Sequence, residues 1–197
     1  MPIRLNSTGG GAVTITAPYT ASTYTLTAPT VTANLVTDSA NSITQSMMST
    51  GLAGTGPAFG VYLSSDQTPT NTTWNKVQMN TKEFDTANCY DNTTNYRFTP
   101  NVAGYYQFSC SVGFYGSSTL VAYGPGIYKN GSLVKYQALN ISAAAGATTL
   151  LEVTSLIYLN GSTDYIEFWA YINATGTIKF VGGNNITYAS GFLARSA

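Results

Sequence analysis

The fold is decided by the stretch from Phe98 to Phe114, FTPNVAGYYQFSCSVGF. In its second half, bulky or sulfur-bearing apolar residues alternate with small or polar ones; the apolar set is Tyr106, Phe108, Cys110, Val112 and Phe114. Successive side chains of a β-strand point to opposite faces, so this period of two predicts a strand with one buried face. Cys110 falls on that face and is predicted to be a buried structural thiol.

The chain on both sides of this strand, from residue 57 to residue 197, has the pattern of an all-β domain. Short alternating runs are bounded by Gly, Asn and Pro, and no long helical pattern interrupts them. Asn130-Gly131 and Asn160-Gly161 stand between apolar runs, and both pairs predict type I′ hairpin turns, because Asn and Gly accept positive φ angles. The spacing of these signals indicates a sandwich or jelly roll.

Two later strands are apolar on both faces. In 150–159 one face carries Leu151, Val153, Ile157 and Leu159, and the other carries Leu150, Leu156 and Tyr158. In 165–172, Ile166, Phe168 and Ile172 oppose Tyr165, Trp169 and Tyr171. An outer strand of an isolated sandwich is expected to be polar on one side. We therefore expect another subunit to cover the second face; the alternative is cover by loops of the same chain.

Residues 1–56 differ in composition from the rest. Arg4 and Asp38 are their only charged residues, and they contain no Trp, Phe or Cys. Too few apolar residues are present for an independent core. Val13 and Ile15, and then Tyr24 and Leu26, alternate with Thr as strand residues do. This segment is predicted to be an extended, β-rich arm that orders against neighbouring chains; the alternative is a disordered leader.

The overall composition excludes several classes of function. The 197 residues include no histidine, and only 8% are charged, with eight basic residues balancing eight acidic ones. Serine–histidine and cysteine–histidine catalysis and histidine-ligated metals are excluded. Zero net charge disfavours nucleic acid and anionic membranes as partners. We find no signal peptide or membrane-spanning run, so synthesis in a cytoplasm is expected, with Cys89 and Cys110 as free thiols.

The acidic residues offer little for catalysis or metal binding. Glu83 and Asp85 lie two residues apart, as two ligands of a cation would, but a solvated pair is the favoured interpretation, since calcium takes six to eight oxygens. Asp164 and Glu167 are equally weak as a glycosidase pair, and surface or hairpin roles are favoured. No catalytic residue, cofactor or metal ligand is therefore predicted.

Neutral aromatic residues are better candidates for binding. Tyr115, Tyr123 and Tyr136 occur among Asn, Ser and Thr residues, a composition that suits recognition of carbohydrate or protein surfaces. The alternative is that these three tyrosines fill an interface between subunits.

The central stretch also resembles a known family, the complement q-subcomponent-like globular heads, which are related in fold to tumour necrosis factor. Phe98, Gly104, Tyr106 and Phe108 reproduce the spacing of the family's central signature. Four further motifs of the family match as well. An aromatic residue followed by Asn corresponds to Trp74 and Asn80, and a Tyr-Asp pair corresponds to Tyr90-Asp91. A Lys-Asn-Gly turn corresponds to Lys129-Asn130-Gly131, and a terminal Ser-Gly-Phe-Leu to Ser190-Gly191-Phe192-Leu193. The spacings from Asn80 to Tyr90 and from Tyr90 to Phe98 exceed those of the family, which predicts a changed loop.

The resemblance covers residues 57–195 and implies a ten-stranded jelly roll. It also implies a tight homotrimer in which one sheet of each subunit faces the threefold axis. Ten of the motif residues are then expected to belong to the core of the fold: Trp74, Asn80, Tyr90, Phe98, Gly104, Tyr106, Phe108, Gly191, Phe192 and Leu193.

The Thr/Gly/Ala-rich leader resembles those of tailed-bacteriophage virion proteins. With the head, it leads us to expect a structural protein: a short trimeric tail fibre or receptor-binding tip, made in the host cytoplasm and carried on the virion. Residues 1–56 would be the virion anchor or a trimeric stem that contacts other virion proteins, and residues 57–197 would contact a host glycan or protein. The alternative is a capsid decoration protein, and a surface-glycan depolymerase is a weaker third hypothesis.

Overall fold

The computed structural model of the chain describes residues 3–6, 12–15, 56–138 and 145–197. It divides the chain into two units, residues 1–42 and residues 43–197. In the first unit, strands β1 (Ile3–Asn6) and β2 (Ala12–Ile15) form an antiparallel pair with Ile3 opposite Ile15. The strand predicted around Val13 is therefore present, whereas Tyr24 and Leu26 lie outside the described residues.

The second unit contains the remaining strands of the described chain. They are β3 (Ala58–Tyr62), β4 (Thr73–Lys76), β5 (Thr81–Asp85), β6 (Tyr90–Asp91), β7 (Arg97–Phe98), β8 (Gly104–Gly116), β9 (Leu120–Lys129), β10 (Ser132–Tyr136), β11 (Thr148–Leu159), β12 (Ile166–Ala174), β13 (Ile178–Phe180) and β14 (Tyr188–Ser196). No helix occurs within the described ranges. The prediction of an all-β unit is confirmed.

These strands form two antiparallel sheets. Sheet I has the order β11-β8-β14-β3-β5, with β13 also pairing with β8. Sheet II has the order β10-β9-β12-β7-β6, with β4 also pairing with β12. Strands that neighbour in a sheet are often distant in sequence, as β14 between β8 and β3 shows, and this is the crossing pattern of a jelly roll. Each sheet has six strands in the described chain, so the ten-strand count is not confirmed.

The core fills the space between the two sheets. The alternating side chains of β8 from Tyr106 to Phe114 are fully buried, and Phe59 and Phe168 meet them from β3 and β12. Phe59 stacks on Phe98 with ring centroids 4.6 Å apart. The central strand thus has the buried face that its period of two predicts.

The two thiols are separate and free. Cys110 is fully buried, and its partners in the sheet are Val153 and Ala189. Cys89 is half-buried in the turn before β6. Burial raises the pKa of both thiols, which keeps them protonated and unreactive at neutral pH.

The signature residues of the sequence divide between core and surface. Seven lie in the interior of the second unit: Tyr90, Phe98, Gly104, Tyr106, Phe108, Gly191 and Leu193. Their assignment to the core needs correction for the other three. Trp74 is half-buried on the outer face of sheet II, Asn80 is exposed, and Phe192 is 51% exposed on the outer face of sheet I. Phe192 is turned outward because it directly follows the inward-facing Gly191 on one strand.

The two Asn-Gly pairs have different structures. Asn130 and Gly131 both have positive φ, at 52° and 78°, and they join the paired strands β9 and β10 as a type I′ turn does. Asn160-Gly161 does not form the predicted hairpin, because β11 belongs to sheet I and β12 to sheet II. Its Asn160 Oδ1 instead accepts hydrogen bonds from the N–H groups of Ser162, Thr163 and Asp164, which stabilises a crossover between the sheets.

Candidate functional site

The outer face of sheet I carries many exposed apolar side chains among the described residues. Six large apolar side chains, each 42–54% exposed, project from this face: Phe84, Tyr105, Leu150, Leu156, Tyr158 and Phe192. We call this set the apolar face. So many exposed large apolar side chains on one sheet face are unusual for a monomer.

Register places the members of the apolar face in rows across the sheet. Phe192 and Leu156 both lie opposite Gln107, one on each side of β8. Tyr105 lies opposite Tyr158, with ring centroids 5.5 Å apart. The apolar side chains therefore form a band across β11, β8 and β14, with the polar Gln107 between Leu156 and Phe192. The two-faced pattern of residues 150–159 predicts the part of this band that lies on β11.

One carboxylate interrupts the band. Glu152 lies on the same face, between Leu150 and Thr154, and accepts a short hydrogen bond from Ser109 Oγ on the neighbouring strand. Ser111, opposite Glu152 in the register, is buried and bonds to the Ile186 carbonyl. The apolar face therefore includes one carboxylate, which is hydrogen-bonded to a neighbouring strand of sheet I.

The outer face of sheet II has a different character, because its side chains are aromatic and partly covered by one another. Five rings meet there, and we call them the aromatic cluster: Trp74, Tyr128, Tyr136, Trp169 and Tyr171. Trp74 is at its centre, with centroid distances of 5.9 Å to Tyr128, 6.1 Å to Tyr136 and 5.8 Å to Tyr171. Tyr128 stacks on Trp169 at 4.7 Å. These distances fall in the range of favourable aromatic pairs.

The Trp74 indole can approach β9 closely because the residue next to it on that strand, Gly126, has no side chain. A Cβ atom at Gly126 would stand 2.8 Å from the Trp74 ring and 2.9 Å from Leu133 Cδ1. Any larger residue at this position would displace the indole. The Gly-Pro-Gly segment at 124–126, which precedes Tyr128 on the strand, is therefore the local sequence that makes room for the cluster.

The charges near the cluster neutralise each other. Glu167 is only 5% exposed, and its carboxylate accepts hydrogen bonds from Lys76 Nζ at 2.6 Å and from Trp169 Nε1 at 3.1 Å. Lys76 also donates to the Asn95 carbonyl at 3.1 Å. The pair fixes the Trp169 ring and leaves the cluster without net charge.

A cavity of about 340 Å³ opens beside Trp74. Its walls are mostly apolar, with Tyr171 on one side, Leu133 and Tyr136 on the other, and Gly124 at the sheet surface. Gln137, at the end of β10, adds a neutral amide to the lining. Small-ligand sites are typically concave and apolar with a few polar groups, and this cavity has that composition.

The three tyrosines selected from the sequence lie in three different environments. Tyr136 is 59% exposed and belongs to the aromatic cluster. Tyr115, half-buried near the end of β8, lies 4.8 Å from the Lys179 ammonium in a cation–π contact. Tyr123 is not a surface residue, since it is 1% exposed and packs on Phe114 in the core. The surface assignment was wrong for Tyr123 because its register on β9 turns it inward.

The two acidic pairs of the sequence analysis serve structural roles. Asp85 forms an ion pair with Lys82 at 2.8 Å and accepts hydrogen bonds from the N–H groups of Cys89 and Tyr90, so it stabilises the turn before β6. Its neighbour Glu83 is exposed. Asp164 pairs with Lys129 at 2.9 Å beside the β9–β10 hairpin. The surface role expected for Glu167 is corrected, because Lys76 and Trp169 cover its carboxylate.

Neither a metal-binding cluster nor a membrane-spanning helix occurs in the described ranges. No group of three or more Cys, Asp, Glu or His side chains is placed there to hold a metal ion. A helix long and apolar enough to cross a membrane is also absent from these segments.

Sequence reasoning found part of these two surfaces. Leu150, Leu156, Tyr158, Trp169 and Tyr171 were identified from the second faces of their strands. Trp74 was assigned to the core, and Phe84, Tyr105 and Tyr128 were missed. The signal for Tyr128 was available, since Ala122, Gly124, Gly126 and Tyr128 alternate along one strand.

Neither protein-family models nor curated protein sequences match this chain. Solved structures do match it in three dimensions. The globular domain of zebrafish complement 1qA is 16% identical, with a TM-score of 0.51, over 72% of this chain and 99% of that domain. Murine APRIL at pH 8.0 is 9% identical, with a TM-score of 0.54, over 70% and 98%. The Eiger TNF of S. frugiperda is 7% identical, with a TM-score of 0.55, over 72% and 95%.

These similarities establish the fold. The second unit has the architecture of the complement q-subcomponent and tumour-necrosis-factor globular domains, as its signature residues indicate. At 7–16% identity the likeness concerns the fold alone.

Proposed function

We propose that residues 57–197 form a non-enzymatic head that assembles as a homotrimer through the apolar face of sheet I. The observation that carries this proposal is the band of Tyr105, Leu156, Tyr158 and Phe192, which is exposed in the single chain. Covering a sheet face with this much exposed apolar surface is favourable in water. A second and third copy of the same sheet would supply that surface, and the similarity to the complement-type and tumour-necrosis-factor-type domains supports this arrangement.

Sheet II is left as the outward surface of the head in this assembly. The aromatic cluster and its cavity lie on the face of sheet II that points away from the core, on the side opposite the apolar face. The assembled head would therefore display a cluster and a cavity on each subunit, and this surface is the proposed contact with a partner.

We further propose that the chain is a virion protein of the tail-fibre or receptor-binding type, with residues 1–56 as its attachment to the particle. The support is the nearly uncharged, Thr-rich leader, in which Arg4 and Asp38 are the only charges. The acidic residues that a glycosidase would need are engaged in the ion pairs Lys129–Asp164 and Lys76–Glu167, which supports binding as the role of the head.

Gold-labelled antibody against the head, imaged on purified virions of the phage that encodes the chain, tests this assignment. Label at the tail or its fibres is the expected result. Label spread over the capsid would replace adhesion by capsid decoration, with residues 1–56 as the capsid-binding segment. Absence of label from virions would overturn the virion assignment.

A further inference from the structure

The cavity beside Trp74 has features that select one class of ligand. We infer that it binds a neutral saccharide, with the sugar ring stacked on the aromatic cluster; this inference rests on the proposed role of the head in binding a partner. A neutral saccharide would then be the ligand of the outward surface of sheet II.

The shape of the site favours a small, ring-shaped ligand. Its volume of about 340 Å³ lies near the lower end of the range for small-ligand sites, which is suited to a monosaccharide or disaccharide unit. Tyr136 and Tyr171 stand on two sides of Trp74, at 6.1 Å and 5.8 Å between ring centroids. The C–H face of a pyranose can pack on such rings while its hydroxyl groups stay in contact with water.

The charge of the site favours a neutral ligand. Glu167 and Lys76 are the charged groups that contact the aromatic cluster, and they bind each other at 2.6 Å. None of the described residues that line the cavity is charged. A sulfated or carboxylated sugar would therefore lose its hydration without gaining an opposite charge, whereas a neutral sugar has no such cost.

Neutral hydrogen-bonding groups are available at the rim. Gln137 lines the cavity, and its backbone N–H is bonded to the Pro125 carbonyl, which fixes the position of the residue while its side chain is exposed. Asn173 lies two residues beyond Tyr171 on the same face of β12, opposite Ala122. Amide side chains both donate and accept hydrogen bonds, as sugar hydroxyl groups require.

The two tryptophans make the test direct. Trp74 and Trp169 are the only Trp residues of the chain, and both belong to the aromatic cluster. Trp emission, excited at wavelengths where tyrosine does not absorb, therefore reports on the aromatic cluster alone. Neutral gluco-, galacto- and manno-oligosaccharides would be titrated into the full chain, with the corresponding uronic-acid oligosaccharides and a proline-rich peptide as competing ligand classes, and affinity would be measured by calorimetry on the same samples.

The expected result is saturable binding of at least one neutral series, with a shift in Trp emission. Tyr136→Ala should weaken that binding about tenfold, since an aromatic contact of this kind contributes up to roughly that factor. Val134→Ala, an exposed residue of the same strand outside the cavity lining, should leave it unchanged. Tyr136 is largely exposed, so its removal should not unfold the chain.

Three results would overturn the inference: binding of none of the neutral series, preference for the uronic acids or the peptide, or equal affinity in the Tyr136→Ala and wild-type chains. Light scattering on each sample separates this inference from the proposed assembly. A trimer that fails to bind neutral sugars contradicts the ligand assignment alone, whereas a monomer contradicts the assembly.

Discussion

The Glu167 carboxylate and the Lys76 ammonium lie 2.6 Å apart within the outer layer of sheet II, where Trp169 donates a further hydrogen bond to the same carboxylate. The pair joins β4 to β12, two strands that are 91 residues apart in the chain. It thereby holds the two halves of the aromatic cluster together.

Removing the Lys76 ammonium should lower the free energy of unfolding by more than the partial exposure of this side chain implies. Lys76→Met leaves the buried Glu167 carboxylate with the Trp169 N–H but without its counter-charge, and we expect a loss of about 2–4 kcal/mol in the free energy of unfolding. The Lys179–Asp66 pair has the same 2.6 Å distance and a similarly exposed lysine, but the Asp66 side chain is 44% exposed where that of Glu167 is 6% exposed, so Lys179→Met is a matched control with a far smaller expected effect. Equal losses in the two variants, measured by urea denaturation, would show that burial of the Glu167 carboxylate does not increase the contribution of the Lys76 pair to stability.

Phe108 and Phe192 form a second matched pair of positions. Phe108 is fully buried and its sheet partner is Gly191, whereas Phe192 is half exposed on the opposite face. Phe108→Ala should cost about 3–5 kcal/mol through lost burial and the cavity left behind. Phe192→Ala should change the stability of the fold much less but weaken association of the subunits. A loss below about 1 kcal/mol for Phe108→Ala would place that ring outside the core.

Gly104 is required by close packing. A Cβ atom there would stand 2.4 Å from the Arg195 carbonyl oxygen and 2.6 Å from Leu193 Cδ1, so β8 and β14 would have to separate. We expect Gly104→Val to lower the thermal midpoint, with a cost of about 3 kcal/mol in the free energy of unfolding, the upper end of the usual range for overpacking. The measurement is a thermal melt followed by circular dichroism, and an unchanged melting temperature in this variant would contradict the pairing of the two strands.

Acid should destabilise the head, although it has no histidine. Burial on its own raises the pKa of Asp85, but hydrogen bonds from Lys82 and from the N–H groups of Tyr90 and Cys89 more than offset this and lower it below 3.8. Backbone N–H groups of Thr94 and Thr93 lower the pKa of Asp91 in the same direction. A lowered pKa in the folded state gives stability that is complete above the unfolded value and is lost as pH falls through the folded one.

Stability should therefore be nearly constant from pH 5 to pH 8 and should fall below about pH 4. Asp85→Asn should be less stable than the wild type at pH 7, with a smaller difference at pH 3, because the carboxyl of the unfolded wild-type chain binds a proton there and the folded state loses its advantage. Urea denaturation of both chains at pH 7 and pH 3 checks this. A difference that grows on acidification would reverse the assigned sign.

The sequence predicted the parts of the fold that depend on local pattern. Alternation identified the buried face of β8 and the two faces of 150–159, and positive-φ residues identified the hairpin at Asn130-Gly131. The hairpin assigned to Asn160-Gly161 failed because a local turn signal does not show which sheet the next strand joins. Trp74 and Phe192 were misplaced for a related reason: a motif residue faces the core or the solvent according to register, and register is set by pairing with distant strands.

The apolar face gives one more prediction, at the level of assembly. Leu156 is 54% exposed in the middle of that face, so Leu156→Lys should place a charge inside the subunit interface and prevent association while leaving the chain folded. Val121→Lys is the matched control, because Val121 is 46% exposed but belongs to sheet II. Dissociation caused by the Val121 variant instead would move the interface to the other sheet.

The most direct test of the account is the molar mass of the wild-type chain in solution, measured by light scattering after size-exclusion chromatography at micromolar concentration. The account predicts three times the chain mass of 20.8 kDa, with Leu156→Lys reducing it to a single chain. A stable, folded wild-type monomer at this concentration would contradict the assembly through sheet I.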